Sequence, residues 1–205
     1  AASDVYKRQA LVNIDWTMRS FADDSVVKSW QVSEDRTIDK FILRDDLTWS
    51  DGVPVTAHDF AFSFKTIMNP KVPAPAVRSG PDQLKAVHAY DDRTVVIFHK
   101  ESLATNVGNI SFPIIPKHKY EKTIPNDYTM TTSPEHQQLE KQPVTAGPYK
   151  VVKFTRDQEV VMERRDEGFM KDGQRMVVLV YRLEHRLQVL LGRASPKGDV
   201  LRSGP

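Results

Sequence analysis

The histidines are the residues of this sequence whose type best suits acid–base or metal chemistry. They are His58, His88, His99, His118, His136 and His185. No two have the H-x-H or H-E-x-x-H spacing that places two imidazoles on one metal ion. His58 and Asp59 are adjacent, as in some metal-dependent phosphohydrolases, but neighbours on a helix point about 100° apart. The spacing therefore predicts an exposed His58 beside an Asp59 that caps a helix, and no metal site.

Other catalytic signatures are missing from the sequence. It contains neither a G-x-S-x-G nucleophile elbow nor a G-x-x-x-x-G-K-[ST] phosphate loop. Cysteine is absent, which excludes disulfides, iron–sulfur clusters and thiolate chemistry. We therefore expect no catalytic residue and no cofactor. A hydrolase that uses His58, His118 and scattered acids is the weaker alternative, and a structural or adhesive surface domain is another.

Bulk composition is typical of a globular protein. The 205 residues are 40% hydrophobic and 27% charged, with a formal net charge of +2. No run approaches the ~20 apolar residues of a membrane-spanning helix. A nucleic-acid groove would need clustered Lys and Arg with interleaved aromatic residues, and the sequence has no such cluster. We therefore predict no nucleic-acid partner.

One stretch predicts a strand, a turn and a capped helix in succession. The apolar residues 41–43 indicate a buried strand, and Ser50-Asp51-Gly52 is typical of a turn. Thr56 is placed to cap a helix, with Asp59 at the capping-box position three residues later. The following apolar residues recur with helical spacing until Asn69-Pro70 ends the pattern. These local signals agree with one another, which favours a stable folding unit.

Two β-hairpins are predicted further along the chain. Residues 83–90 alternate in polarity, and after a turn they are followed by the β-branched run at 94–98. The alternation places three side chains on one face of the first strand, namely Leu84, Ala86 and His88. Residues 149–154 and 159–164 form the second predicted hairpin.

Two short helices and a strand complete the pattern. Pro116 and Ser133-Pro134-Glu135 are typical of helix starts. Residues 176–181 indicate another strand. The pattern changes after Arg182, where a divergent helix and a shifted reading frame both fit residues 183–197.

Four blocks of sequence carry a family resemblance. They are Ser29-Trp30-Gln31-Val32-Ser33-Glu34-Asp35, the stretch LRDDLTWSDGVPVTAHDFAFSF, Phe112-Pro113-Ile114-Ile115-Pro116-Lys117-His118, and Ala146-Gly147-Pro148-Tyr149-Lys150-Val151-Val152. Their content and order resemble the dipeptide/oligopeptide/nickel class of extracytoplasmic solute-binding proteins, the capture components of ABC importers. The resemblance extends over residues 26–164.

The resemblance implies a fold, a function and a location. The expected fold is α/β (mixed α+β), similar to the type II periplasmic-binding proteins, with this chain forming part of the first lobe and its extra subdomain. Such a protein holds a di- or oligopeptide in a cleft between two lobes, without altering it, and delivers it to ABC permease subunits in the membrane. It acts as a monomer in the periplasm, or associated with the membrane outside the cytoplasm. A nickel chelate, haem or an oligosaccharide is an alternative ligand for the same fold.

The resemblance also implies a division of the chain. We predict that residues 10–182 belong to the first lobe and its subdomain, that residues 1–9 are a non-native leader, and that residues 183–205 are a divergent tail. In relatives, the acid that grips the free amine of a peptide comes from the second lobe. This chain alone is therefore expected to bind peptide weakly or not at all.

Six residues are the ligand contacts that the resemblance implies. Ala76 and Arg78 lie in a connector at residues 72–81, which approaches the ligand in the family. Relatives often carry an aromatic residue at the position that matches Ala76, so that contact is missing here. A plain surface loop is the simpler interpretation of the connector.

The other four candidates occupy two places that face the space between lobes in the family. Asn109 and Ser111 precede the third block, and Ala146 and Gly147 open the fourth. Uncharged groups and bare backbone suit a ligand that is recognised through its main chain. Ordinary turn chemistry would favour the same residue types, with Gly147 present for a positive φ.

Overall fold

The computed structural model describes residues 11–14, 20–22, 26–147, 149–155, 159–165, 177–184 and 186–193. Within this part of the chain, two four-stranded antiparallel sheets and a two-stranded ribbon are formed. The ribbon pairs β1 (Val12–Ile14) with β2 (Ser20–Ala22). The first sheet has the order β3-β4-β6-β5 and consists of β3 (Val27–Val32), β4 (Ile38–Leu43), β5 (Leu84–Ala89) and β6 (Thr94–His99). The second has the order β10-β9-β8-β7 and consists of β7 (Tyr149–Thr155), β8 (Glu159–Arg164), β9 (Val177–Glu184) and β10 (Arg186–Arg193).

Helices connect the strands of the first sheet and lead from it to the second. They are α1 (Ala57–Met68), α2 (Asn106–Asn109), α3 (Lys117–Tyr120) and α4 (Pro134–Lys141). Two 3₁₀ turns, Pro75–Val77 and Pro81–Gln83, lie in and after the connector. None of the described helices is long and apolar enough to cross a bilayer.

The predicted succession of strand, turn and capped helix is confirmed. β4 ends at Leu43, and Gly52 takes a φ of +84° in the turn before α1. The carboxylate of Asp59 accepts a hydrogen bond from the backbone amide of Thr56 at 2.8 Å, as the capping pattern predicts. Asp59 is only 3% exposed, so the cap is buried against the rest of the fold rather than facing solvent.

The apolar core lies between α1 and the first sheet. Phe41 and Leu43 of β4 and Val95 and Ile97 of β6 are almost fully buried, and Phe60 of α1 is 2% exposed. These side chains belong to one cluster, which removes a large apolar area from water and stabilises the unit. The core therefore fixes α1 and the turn before it relative to the sheet.

The first predicted hairpin is confirmed, but one detail of its face pattern is wrong. β5 and β6 pair antiparallel, with a register shift between Leu84 and Ala86. Such an irregularity changes which face the following side chains occupy. Val87 is therefore buried with Leu84, and His88 is exposed instead of sharing the face of Leu84.

The second predicted hairpin is also present, as β7 and β8. Its predicted turn, residues 156–158, lies outside the described residues. The predicted strand at 176–181 corresponds to β9, and β10 pairs with β9 from Arg193↔Val177 to Arg186↔Glu184. A helix over residues 186–193 is therefore wrong, since this stretch of alternating and apolar residues completes a sheet.

Candidate ligand-binding site

The turn that begins at Trp49 is joined to the segment that carries two candidate ligand contacts. The amide of Ser50 donates to the carbonyl of Thr145 at 2.8 Å, and the amide of Thr145 donates to the Ser50 hydroxyl oxygen at 3.0 Å. Thr145 is 3% exposed and Ala146 is 5% exposed. Ala146 and Gly147 therefore follow directly from a backbone position that Ser50 holds from two sides.

Arg165 lies immediately after β8 and reaches the same turn. One terminal nitrogen of its guanidinium donates to the carbonyls of Thr48 at 2.8 Å and Gly147 at 3.3 Å. The other donates to the Thr48 hydroxyl and to the carbonyl of Trp49, both at 2.8 Å. A single planar side chain thus links the end of the second sheet, the Trp49 turn and the candidate residue Gly147.

An ionic cluster ties the other side of the turn to α3. The carboxylate of Asp51 lies 2.8 Å from Nε2 of His118 and 3.1 Å from Nζ of Lys119. Burial disfavours the charge on Asp51, but the hydrogen bonds from these two side chains and from the amide of Val53 act against it, and the pKa of the carboxyl lies below its ordinary value. The turn is therefore held by charged contacts on the α3 side.

The buried Asp59 connects α1 to the same two elements. Besides capping its own helix, its carboxylate accepts from the amide of Lys117 at 2.8 Å and from the indole of Trp49 at 3.4 Å. Ser63, one turn further along α1, accepts from the amide of Ile115 at 2.8 Å. The chain around residues 112–118 is thus fixed to α1 by buried polar contacts.

The connector at residues 72–81 contains two of the candidate contacts, in different environments. Ala76 is exposed, in the 3₁₀ turn Pro75–Val77. The guanidinium of Arg78 donates to the carbonyls of Ile67 and Asn69, both at 2.7 Å, and also to the carbonyl of Val72. Arg78 therefore closes the C-terminal end of α1, and its role as a ligand contact stays a prediction.

Asn109 and Ser111 lie where α2 approaches the connector. An added Cβ at Gly80 would lie 3.5 Å from Cα of Asn109, so the two backbones are close. Gly80 has a φ of +96°, which suits glycine. Ser111 is exposed and Asn109 is partly buried. The structure thus brings Asn109 and the connector together, and places Ala146 and Gly147 with the Trp49 turn.

The sequence alone does not identify Ser50 and Arg165 as the residues that hold these segments. Ser50 is identified there only as part of a turn. Arg165 follows a predicted strand, and no local pattern marks it as a contact for a turn more than one hundred positions earlier. Such contacts join segments that are far apart in the chain, so a pattern read along the chain does not contain them.

The histidines do not assemble into a catalytic or metal-binding group within the described residues. His58 is exposed and lies 3.3 Å from Asp92, whereas His118 pairs with Asp51. The described part of the chain contains no group of three His, Cys, Asp or Glu side chains that could hold a metal ion. The prediction of an exposed His58 beside a helix-capping Asp59 is confirmed, apart from the burial of Asp59.

Comparison with known proteins decides the family. Residues 24–182 match the bacterial extracellular solute-binding proteins, family 5, in their middle region. The chain belongs to this family. The resemblance inferred from the four sequence blocks is therefore confirmed. The similarity between this chain and family 5 extends over most of the described residues.

Curated relatives include proteins named for peptide binding. The chain is 27% identical over 169 residues to the dipeptide-binding protein DppE of Bacillus subtilis, an alignment that covers 73% of this chain and 29% of DppE. It is 27% identical over 160 residues to the periplasmic oligopeptide-binding protein OppA of Salmonella typhimurium, covering 69% of this chain and 28% of OppA. The chain thus spans less than a third of the length of these relatives.

Solved structures confirm the type II periplasmic-binding-protein fold. NikZ from Campylobacter jejuni, in complex with Ni(L-His), superposes with a TM-score of 0.69 at 26% identity, covering 86% of this chain and 33% of NikZ. OppA from Haemophilus influenzae, in complex with the peptide RPPGFSPFR, has a TM-score of 0.58 at 24% identity, covering 80% of this chain and 33% of OppA. The mixed α/β architecture predicted from the sequence is therefore confirmed.

Proposed function

We propose that this family 5 chain forms one wall of a cleft that captures di- or oligopeptides for an ABC importer. The match of residues 24–182 to the family carries the proposal, and the peptide-binding names of two relatives support the choice of ligand. The protein binds its solute without a covalent step, works outside the cytoplasm as a monomer, and releases the solute to permease subunits in the membrane. Differential affinity for a closed form drives that cycle.

The candidate residues suit recognition of a peptide main chain. Asn109 and Ser111 offer uncharged donors and acceptors, whereas Ala146 and Gly147 are buried small residues next to a fixed backbone position. Such groups bond peptide units without selecting among side chains, which is what a carrier of varied peptides requires. Ala76 contributes exposed, non-aromatic surface on the connector, and Arg78 keeps that connector attached to α1.

A nickel chelate is the second candidate ligand. The observation that favours it is the likeness to NikZ, whose structure contains Ni(L-His), at 26% identity. Three metal-binding side chains do not come together in the described part of this chain.

Nuclear magnetic resonance titration of the ¹⁵N-labelled 205-residue chain separates the two ligands. We expect tri-alanine at millimolar concentration to shift the amide signals of Asn109, Ser111 and Ala146, with weak affinity because this chain forms only part of the cleft. Ni(L-histidine) is the second arm, and maltotriose tests an oligosaccharide. Shifts caused by the nickel complex alone would favour the chelate. Tri-alanine shifts confined to residues far from Asn109, Ser111 and Ala146 would overturn the proposed function, and micromolar peptide affinity by calorimetry would contradict the incomplete cleft.

A further inference from the structure

We propose that Arg165 is a latch that fastens the second sheet to the Trp49 turn (residues 48–52), so that this sheet moves as one body with α1 and the first sheet. The inference goes beyond the proposed function, because it concerns motion within the chain and assigns no ligand. It requires that the second sheet be held at the turn at more than one point. It also requires that the turn itself be fixed to α1.

Arg165 holds both strands of the β7–β8 hairpin at one end. It follows β8 directly, and its guanidinium donates to the carbonyl of Gly147, which lies just before β7. The start of β7 pairs with the end of β8, so the two held points are neighbours in space. The same guanidinium donates to the Thr48 hydroxyl and to the carbonyls of Thr48 and Trp49, each at 2.8 Å. A planar group with five N–H donors can serve all these oxygens at once.

Ser50 provides a second attachment, at the chain that leads into β7. Its amide donates to the carbonyl of Thr145 at 2.8 Å, and its hydroxyl oxygen accepts from the Thr145 amide at 3.0 Å. Thr145 is 3% exposed, and Ala146 is buried in the core cluster that includes the first sheet. Breaking these contacts would leave buried polar groups unsatisfied and expose apolar surface, and both cost free energy. The chain before β7 is therefore part of the folded unit and not a loose linker.

Two helices hold the Trp49 turn in place. The indole of Trp49, which is 1% exposed, donates to the buried carboxylate of Asp59 in α1 at 3.4 Å. On the other side of the turn, the carboxylate of Asp51 contacts His118 and Lys119 of α3 at 2.8 and 3.1 Å. An unbroken series of polar contacts thus runs from the second sheet through the turn to α1.

A hinge would be the opposite role for residues 145–147. Hinge residues absorb large changes in φ and ψ when two bodies move apart. Segments that open readily have few buried contacts, and their backbone hydrogen bonds are exposed to solvent. Here both backbone polar groups of Thr145 and the carbonyl of Gly147 are bonded within the chain. The geometry therefore favours a latch at this place.

Double electron–electron resonance measures whether the two sheets move together. The sequence contains no cysteine, so cysteines introduced at Lys85 of β5 and Val152 of β7, both exposed, carry the only two spin labels. We expect a single narrow distance distribution in the parent chain. Arg165→Met should broaden that distribution or add a second distance, because the hairpin loses its attachment to the turn.

Hydrogen exchange at the Ser50 amide gives an independent measure of the latch. This amide donates to Thr145, and the guanidinium of Arg165 has only donors, so it is not the acceptor of this amide. Arg165→Met should nevertheless accelerate the exchange about tenfold, since the contact opens more often without the charged hydrogen bonds. Thr48→Val keeps the side-chain shape but removes one acceptor of Arg165, so it should accelerate the exchange about threefold. This milder variant provides the test if Arg165→Met does not fold.

Arg93→Met is the matched control. The guanidinium of Arg93 also donates to backbone carbonyls, none of which belongs to the latch; they are those of Arg44 at 2.8 Å, Asp45 at 3.0 Å and Val55 at 3.4 Å. The control should leave the distance distribution and the exchange of the Ser50 amide unchanged. Circular dichroism confirms that each variant is folded.

Three results would overturn the latch. The first is a broad distance distribution in the parent chain. The second is a folded Arg165→Met with the distribution and exchange rate of the parent or, where that variant does not fold, unchanged exchange in Thr48→Val. The third is equal broadening in Arg93→Met. None of these results bears on the proposed function, which the ligand titration tests separately, and a chain that binds none of the ligands but shows the expected broadening would retain the latch.

Discussion

At the scale of single residues, one buried carboxylate serves partners that are both near to it and far from it in the chain. Asp59 illustrates this, because its spacing from Thr56 predicts the helix cap that the structure contains. The same carboxylate also accepts from Lys117 and Trp49, and burial follows from these added contacts. Contacts of this kind join elements that are distant in sequence, so they depend on the packing of the whole fold.

Replacing Asp59 with Ala should therefore cost more than the loss of a surface cap. Four donors, the amides of Thr56 and Lys117, the Thr56 hydroxyl and the indole of Trp49, lose their common acceptor in a buried place. We expect the free energy of unfolding to fall by about 3 kcal/mol, measured by urea denaturation. Asp46→Ala, at a carboxylate in a surface ion pair, is the control and should change stability little. Equal losses in the two variants would refute the role given to Asp59.

The ionic contacts of Asp51 predict a dependence of stability on pH. The folded protein lowers the pKa of this carboxyl from its ordinary value of 3.8, so the ionised form stabilises the fold. That contribution is fully present above pH 3.8 and is lost as the pH falls through the lower folded-state pKa. Asp51→Asn should lose up to about 1 kcal/mol near neutral pH.

Urea denaturation at several pH values measures the stability difference between the parent and Asp51→Asn. The difference should shrink steadily as the pH falls below 3.8, because the parent carboxyl then becomes neutral as well. Taking the difference removes the contributions of the other carboxyls, which titrate in both proteins. A difference that stayed constant down to strongly acidic pH would show that the charge on Asp51 contributes nothing.

At the scale of elements, most strands and helices of the described chain follow from local pattern. The hairpin of β5 and β6, the start of α4 at Ser133 and the limits of α1 are all predicted from turn and capping chemistry. The register shift in β5 is not, because alternation in the sequence is interpreted as a regular strand. The pattern also does not show that the connector lies against α2. That contact depends on the close approach of the Gly80 and Asn109 backbones.

Glycine substitutions test that approach. Gly80 has a φ of +96°, where a side chain is strained, so Gly80→Ala should lower the free energy of unfolding by about 1–2 kcal/mol. Gly108 lies within α2 with open space around its Cα, so Gly108→Ala should be neutral or stabilise by up to about 1 kcal/mol. Thermal unfolding of both variants gives the comparison. A loss of stability at Gly80 without a loss at Gly108 supports the geometry, and equal effects would argue against it.

At the scale of the whole molecule, the core joins residues that are far apart in the chain. Leu11, Val26, Ile110 and Ala146 all belong to the cluster around Phe41. Sequence periodicity identifies each as apolar but does not show that they share one core, because that follows from the order of the strands. The candidate site also depends on the order of the elements. Residues 145–147 reach the Trp49 turn because the chain returns to that turn before it forms the second sheet.

Leu11 provides a test of how far the core extends along the chain. It is 2% exposed and packs in the core, so Leu11→Ala should lose about 3 kcal/mol of unfolding free energy through the lost contacts and the cavity left behind. Leu103→Ala is the control, because Leu103 is 40% exposed and its truncation removes little buried area. A Leu11→Ala variant as stable as Leu103→Ala would show that Leu11 contributes little to the core.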